Sequence, residues 1–264
     1  MSTDGRPCGI MSSQFFVVTS LRFHAMRTLA AEVLPYLPTE SFFVLASCPE
    51  VFVVADDIQF STNGNANRAR IKTATGAQWL TIPILTKGRA GQKLNEVEID
   101  PTRPWQRQHW RTLELNYHNA PYFGELADEL EALYQQPYQK LAEMAWEFLR
   151  FLWKALRWEN LPLRTSDLHL TGAGKQRLVE LAGALNAGVY VAHEKYRAVI
   201  RPERMPEMRL QFVNWELPPY HQQFDGFIGG LNILDVLFNE GVVFTRERLR
   251  NLAEKSRKNF LPNG

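Results

Sequence analysis

Four consecutive apolar strand-formers, Val51-Phe52-Val53-Val54, constrain this chain more than any other stretch. A strand with one wet face alternates apolar and polar residues. A run without alternation is covered on both faces, as the central strands of an α/β sheet are. The run passes through Ala55 into Asp56-Asp57-Ile58-Gln59-Phe60. The two carboxylates therefore stand at the carboxyl end of a central strand, the edge where open α/β sheets bind ligands. A polar loop leads to Asn67-Arg68-Ala69-Arg70-Ile71-Lys72 and then to a second strand, Trp79-Leu80-Thr81-Ile82-Pro83-Ile84. Paired carboxylates followed by two arginines suit a ligand site better than a core.

The rest of the chain alternates in the same way. Prolines 35 and 38 hold residues 34–38 extended, and a short helix fits residues 40–47 ahead of the strand. Strand-like alternation returns at Val97 and Ile99. Pro104 opens a helix with Trp105 and His109 on one face and Trp110, Leu113 and Tyr117 on another. Helices over 124–134 and from Pro137 follow, the latter with a stripe from Leu141 to Leu156. A helix over 175–186 ends at Gly188 and feeds the strand Val189–Ala192, and residues 210–213 form another strand. A helix over 231–239 stops at Gly241, and a last one starts near Thr245. The expected fold is α/β, a Rossmann-like sheet with a helical insertion at about 104–158. Residues 1–33 read as an N-terminal extension of unclear role, with a short strand at 15–18 and Met11 and Met26 as alternative starts. Residues 34–260 read as a single domain.

Composition narrows the function classes. Thirty basic residues stand against 28 acidic ones, a net charge of +2, so the overall field does not concentrate nucleic acid. No apolar run reaches the roughly 18 residues of a membrane helix. Two cysteines, Cys8 and Cys48, make no disulfide framework, which fits a cytoplasmic protein. Histidine and cysteine spacings offer no metal site, and there is no Walker loop, GxGxxG or GxSxG. No metal or cofactor is expected. Gly172-Ala173-Gly174-Lys175 reads as an anion-receiving helix start or, more simply, a turn.

The candidate catalytic residues are Asp56, Asp57 and His109. Adjacent strand residues point to opposite faces, so one aspartate at most faces a given pocket. The bland alternative has one capping a turn and the other paired with Arg68 or Arg70. His109, between tryptophans, is either a general base or a buried histidine bonded to a backbone carbonyl. For substrate binding the candidates are Gln59, Asn67, Arg68, Arg70, Trp79, Trp105, Tyr122, Asn232 and Asp235. The arginines present planar forks that suit phosphate or carboxylate, and the Tyr122-Phe123 corner offers two rings to a pocket. Asn232, Asp235 and Asn239 share a helix face.

These pieces resemble the WbqC-like family of bacterial proteins, many of them associated with O-antigen gene clusters. The resemblance rests on Tyr36-Leu37-Pro38, Asp56-Asp57-Ile58-Gln59-Phe60, Asn67-Arg68-Ala69-Arg70-Ile71 and Trp79-Leu80-Thr81-Ile82-Pro83. It continues through Trp105, His109-Trp110, Tyr117 and Ala120–Phe123 to the run from Leu231 to Asn239. It implies a role in surface-polysaccharide synthesis, with transfer of glycine or a similar small group onto an amino sugar. A small-molecule substrate such as a nucleotide sugar is the implied partner. Two places depart from the pattern. Glu32, Val33 and Leu34 stand where members carry a histidine and a proline, and Ala192-His193-Glu194-Lys195 replaces a Ser-Gly loop. If those glycines approach a phosphate, the departure implies a different substrate or a lost activity. Two functions are open on these residues: a transferase, or a non-catalytic ligand-binding or scaffold protein of the same pathway.

Overall fold

The computed structural model describes residues 27–200 and 208–258. In chain order the elements are β1 (Arg27–Val33), α1 (Glu40–Ala46), β2 (Val51–Ala55), β3 (Arg68–Thr73) and β4 (Gly76–Thr81). The helices α2 (Trp105–Tyr117), α3 (Ala127–Tyr134) and α4 (Leu141–Ala155) follow. The chain then forms β5 (Leu163–Arg164), α5 (Gly174–Ala184), β6 (Ala187–His193), β7 (Arg209–Val213) and α6 (Ile233–Lys258). Five strands make one parallel sheet in the order β5-β2-β1-β6-β7. With helices interleaved between its strands, this is a Rossmann-like α/β fold, and α2 to α4 are the helical insertion expected from the sequence.

The apolar run in β2 is covered on both faces. Phe52 and Val54 belong to the large core with α1, α4 and α6, while Val51 and Val53 join a second cluster with Leu181 and Ala182 of α5. Alternation on a pleated strand requires this division.

Several boundaries differ from the sequence expectation. A break at residue 34 cuts through the fold, because Arg27–Val33 form β1, the middle strand, with Leu29 and Ala30 fully buried. Its two alanines and a glutamate lack the β-branched signature, and neighbours on both sides supply the pairing that propensity does not. The strand expected at 15–18 lies outside the described residues. At 97–99 the chain forms two isolated bridges, Ile84 to Ile99 and Glu98 to Lys140, rather than a strand. A 3₁₀ turn at Phe123–Glu125 delays α3, and α4 starts at Leu141 rather than Pro137. The left-handed residue after α5 is Asn186 (φ 51°), not Gly188. Gly241 (φ 81°, ψ 170°) is non-helical and divides α6 into two helical stretches, so the helix stop expected there from the sequence is present.

The β3–β4 hairpin is antiparallel and forms a sheet of its own. Asn232 ties it to the start of α6, donating from its backbone (3.1 Å) and its side chain (2.6 Å) to the Arg70 carbonyl. The Tyr117 hydroxyl accepts from Lys72 N at 2.9 Å. So the aspartates and the arginines, close in sequence, stand on separate sheets.

Candidate functional site: a cavity at the sheet's switch point

From β1 the chain crosses through α1 to β2 on one side, and later reaches β6 on the other side of β1. The loops leaving β1 and β6 therefore diverge at their carboxyl ends and open a crevice, the position at which doubly wound sheets bind ligands. A cavity of about 320 Å³ occupies it. Its walls come from the end of β1 (Glu32, Val33), the last residue of β6 (His193) and the turn after it (Lys195, Tyr196), and Trp215 beyond β7. Thr39 and Ser41 at the start of α1 and the loop 58–66 after β2 complete it.

Glu32 is the reactive-looking group of this cavity. Its Oε1 accepts a hydrogen bond from the Tyr196 hydroxyl at 3.1 Å. Burial pushes its carboxyl above the ordinary value of 4.5, and Lys195 and the Tyr196 hydroxyl offset only part of that. A half-buried carboxylate with raised basicity on a cavity wall is suited to accepting a proton. The Lys195 ammonium lies 4.8 Å from the centre of the Tyr196 ring. On the other side His193 packs edge-on against Trp215 at 4.4 Å, and its Nδ1 accepts from Lys195 N at 3.0 Å. Burial, then the neighbouring Lys195, lower the His193 pKa, so the ring is a neutral acceptor rather than a cation. The Trp215 indole donates to Ser41 Oγ at 3.2 Å, fixing the wall between β7 and α1.

Gln59 is exposed on the cavity wall. Arg68, Arg70 and Trp79 line a small adjoining recess, which shares Leu37, Thr39 and Asn65 with the cavity. Asn232 lines the same recess. These sequence candidates come together.

The three catalytic candidates do not. Asp56 accepts from Ser166 N (3.0 Å) and Ser166 Oγ (2.7 Å), which pins the end of β2 to the turn after β5. Asp57 accepts from Thr165 Oγ1 and forms a buried ion pair with Arg177 of α5. The pairing with Arg68 or Arg70 weighed from the sequence is replaced by this one, since the hairpin belongs to another sheet. His109 is buried among Tyr36, Trp105 and Tyr134, with its Nδ1 3.0 Å from the Tyr36 hydroxyl. Burial lowers its pKa to about 4, partly offset by its bond to the Thr81 backbone. This is the buried-histidine alternative, bonded to a carbonyl.

Other candidates are spent on structure. Trp105 shares the buried face of α2 with His109, Leu113 and Tyr117, so the two faces expected for this helix merge into one. Tyr122 packs over Gly241, and Phe123 stacks on Trp110 in the core, away from the switch-point cavity. Asn67 donates to the Ile82 carbonyl at 3.1 Å. Asp235 is fully buried, accepting from Tyr117 (2.7 Å), Tyr220 (2.7 Å) and Gln222 (2.9 Å). With Asn232 and Asn239 also buried, the polar face of α6 is internal. The glycine-rich turn before α5 receives the carboxylate of Glu180 on the amides of Thr171 and Gly172.

Sequence reasoning missed Glu32, Lys195 and Tyr196 as site residues. The signal was present as the two departures from the family pattern, 32–34 and 192–195. They are far apart in the chain and meet at one cavity wall. Among the described residues, no group of three or more His, Cys, Asp or Glu is arranged to hold a metal ion. No helix there is long and apolar enough to cross a membrane.

The sequence pattern of the WbqC-like protein family matches residues 35–247. An uncharacterized protein of Mycobacterium tuberculosis is 32% identical over 221 residues, covering 82% of this chain and 95% of that protein. No solved structure matches.

Proposed function

The chain belongs to the WbqC-like protein family, and we propose that it is a transferase of surface-polysaccharide (O-antigen) synthesis that uses the switch-point cavity. The acceptor is an amino sugar, carried as a nucleotide sugar, and the donor is activated glycine or a similar small acyl group. In this reading the sugar amine attacks the acyl carbon and the donor's leaving group departs with the bonding pair. The amine proton passes to the Glu32 carboxylate. Lys195 and Tyr196 hold that carboxylate in place.

The observation that carries the reading is Glu32 itself, a half-buried carboxylate of raised pKa on the wall of a cavity at the ligand-binding edge of the sheet. The test is a thermal-shift screen of nucleotide sugars, ATP, glycine and folate-type donors, with mass spectrometry of the mixtures that stabilise the protein. Stabilisation by a nucleotide sugar, followed by a product heavier by one glycyl unit, is the expected result. Stabilisation without any product is the outcome of the second reading, a ligand-binding or scaffold protein. One observation favours that second reading: Asp56, Asp57 and His109 are all committed to internal partners.

A further inference from the structure

We propose that Arg68, Arg70 and Trp79 form a phosphate-binding end of the cavity, taking a phosphate ester or diphosphate of the ligand. This rests on the reading that the cavity holds a small-molecule substrate, and it assigns the chemistry of one end of that molecule.

Arg70 stands directly opposite Trp79 in the hairpin, and Arg68 is two residues earlier on the same face. The Arg68 guanidinium lies 4.5 Å from the centre of the Trp79 ring and that of Arg70 5.9 Å. Arg68 is further fixed by donating from Nε to Gly64 O (3.1 Å) and from Nη2 to Asn63 O (2.7 Å). Those bonds leave its Nη1 hydrogens free. Arg70 makes no side-chain hydrogen bond to any described residue, and neither arginine is ion-paired among them. Elsewhere Arg177, mostly covered, pairs with Asp57, and the buried Arg248 pairs with Glu40.

Two guanidiniums gathered around one ring, with no counter-charge among the described residues, repel each other, and a bound anion offsets that repulsion. A carboxylate brings one charge and two oxygens. A phosphate ester or diphosphate brings about two charges and at least three acceptor oxygens, which matches two forks. The recess and the cavity have Leu37, Thr39 and Asn65 in common in their walls. In this assignment a ligand spanning the two places its anionic end here while its other end meets Glu32. Trp79, 45% exposed, supplies an apolar ring beside that anion.

Isothermal titration with pyrophosphate, UDP, uridine and acetate tests the assignment. Pyrophosphate and UDP are expected to bind saturably, more weakly as salt rises, and at least roughly tenfold tighter than uridine or acetate. Arg70→Ala should weaken UDP by roughly tenfold to a hundredfold, the worth of a charge-assisted hydrogen bond, and Arg70→Lys by less. Arg89→Ala, at a surface pair with Glu98, should change nothing. The assignment is overturned if the wild-type protein ignores both phosphates, or if uridine or acetate binds as tightly as UDP. Unchanged UDP affinity in folded Arg68→Ala/Arg70→Ala protein overturns it as well, and Arg70→Lys with Trp79→Ala serves if that double variant unfolds. A protein that makes product yet ignores pyrophosphate sinks this assignment alone. One that binds pyrophosphate through Arg70 and makes no product sinks only the transferase reading.

Discussion

Glu32, half-buried, and His109, buried, are titratable groups with opposite consequences for pH. The Glu32 pKa is raised by burial, so folding favours its protonated form. Its contribution to stability is present below 4.5 and is lost as pH rises through the raised folded value. Glu32→Gln keeps an oxygen acceptor for Tyr196 and never carries the buried charge. It should therefore raise stability at pH 8 and give no gain at pH 4, read from urea midpoints at the two pH values. His109 behaves in the reverse sense. Its folded pKa near 4 lies below the ordinary 6.5, so stability is full above 6.5 and falls as pH drops towards 4. The loss amounts to roughly 3 kcal/mol when complete. An NMR titration should find the His109 ring neutral at pH 5.5. A half-titration near 6.5 would mean that the ring is wet and available for catalysis after all.

At the scale of elements, Asp57 and Gly241 hold joints together. Asp57 clamps the end of β2 to α5 through Arg177, with Asp57 buried and Arg177 mostly covered. Asp57→Ala leaves a guanidinium without its partner, and its expected effect is a stability loss of roughly 3–5 kcal/mol in denaturant melts. Wild-type stability in that variant would free Asp57 for a catalytic role. At Gly241 an added Cβ would lie 2.9 Å from the Tyr122 ring at a φ of +81°. Gly241→Ala should cost roughly 1–3 kcal/mol and reorient α6 about its kink. These joints also show what was legible beforehand. The Val51–Val54 run announced a strand covered on both faces, and the helix stripes announced the insertion, because periodicity is a local property. β1 was invisible, since Arg27 to Val33 owe their strand to β2 and β6 rather than to their own propensity. The aspartates were located at the right strand end, but their partners Thr165, Ser166 and Arg177 come from more than a hundred residues away. Pairings over such separations leave no periodic trace.

For the molecule as a whole, the parallel sheet places its switch-point cavity beside β1, and the antiparallel hairpin adds an adjoining recess with a tryptophan and two arginines that have no ion-pair partner among the described residues. The family pattern is read along the chain, whereas the cavity is assembled across it from β1, β6, the loop after β2 and the hairpin. That is why 32–34 and 192–195, two unrelated departures in sequence, become neighbours in space. On this account Glu32 carries the proton transfer, and the Asp56-Asp57 pair carries the architecture. The most direct test is glycine incorporation into an amino-sugar nucleotide, followed by mass spectrometry for wild-type and Glu32→Gln protein side by side. The account predicts product from the wild type and a rate lower by roughly a hundredfold or more in the variant, the usual worth of a positioned base. The variant should stay folded and melt no lower than the wild type. Equal rates in the two proteins would contradict it.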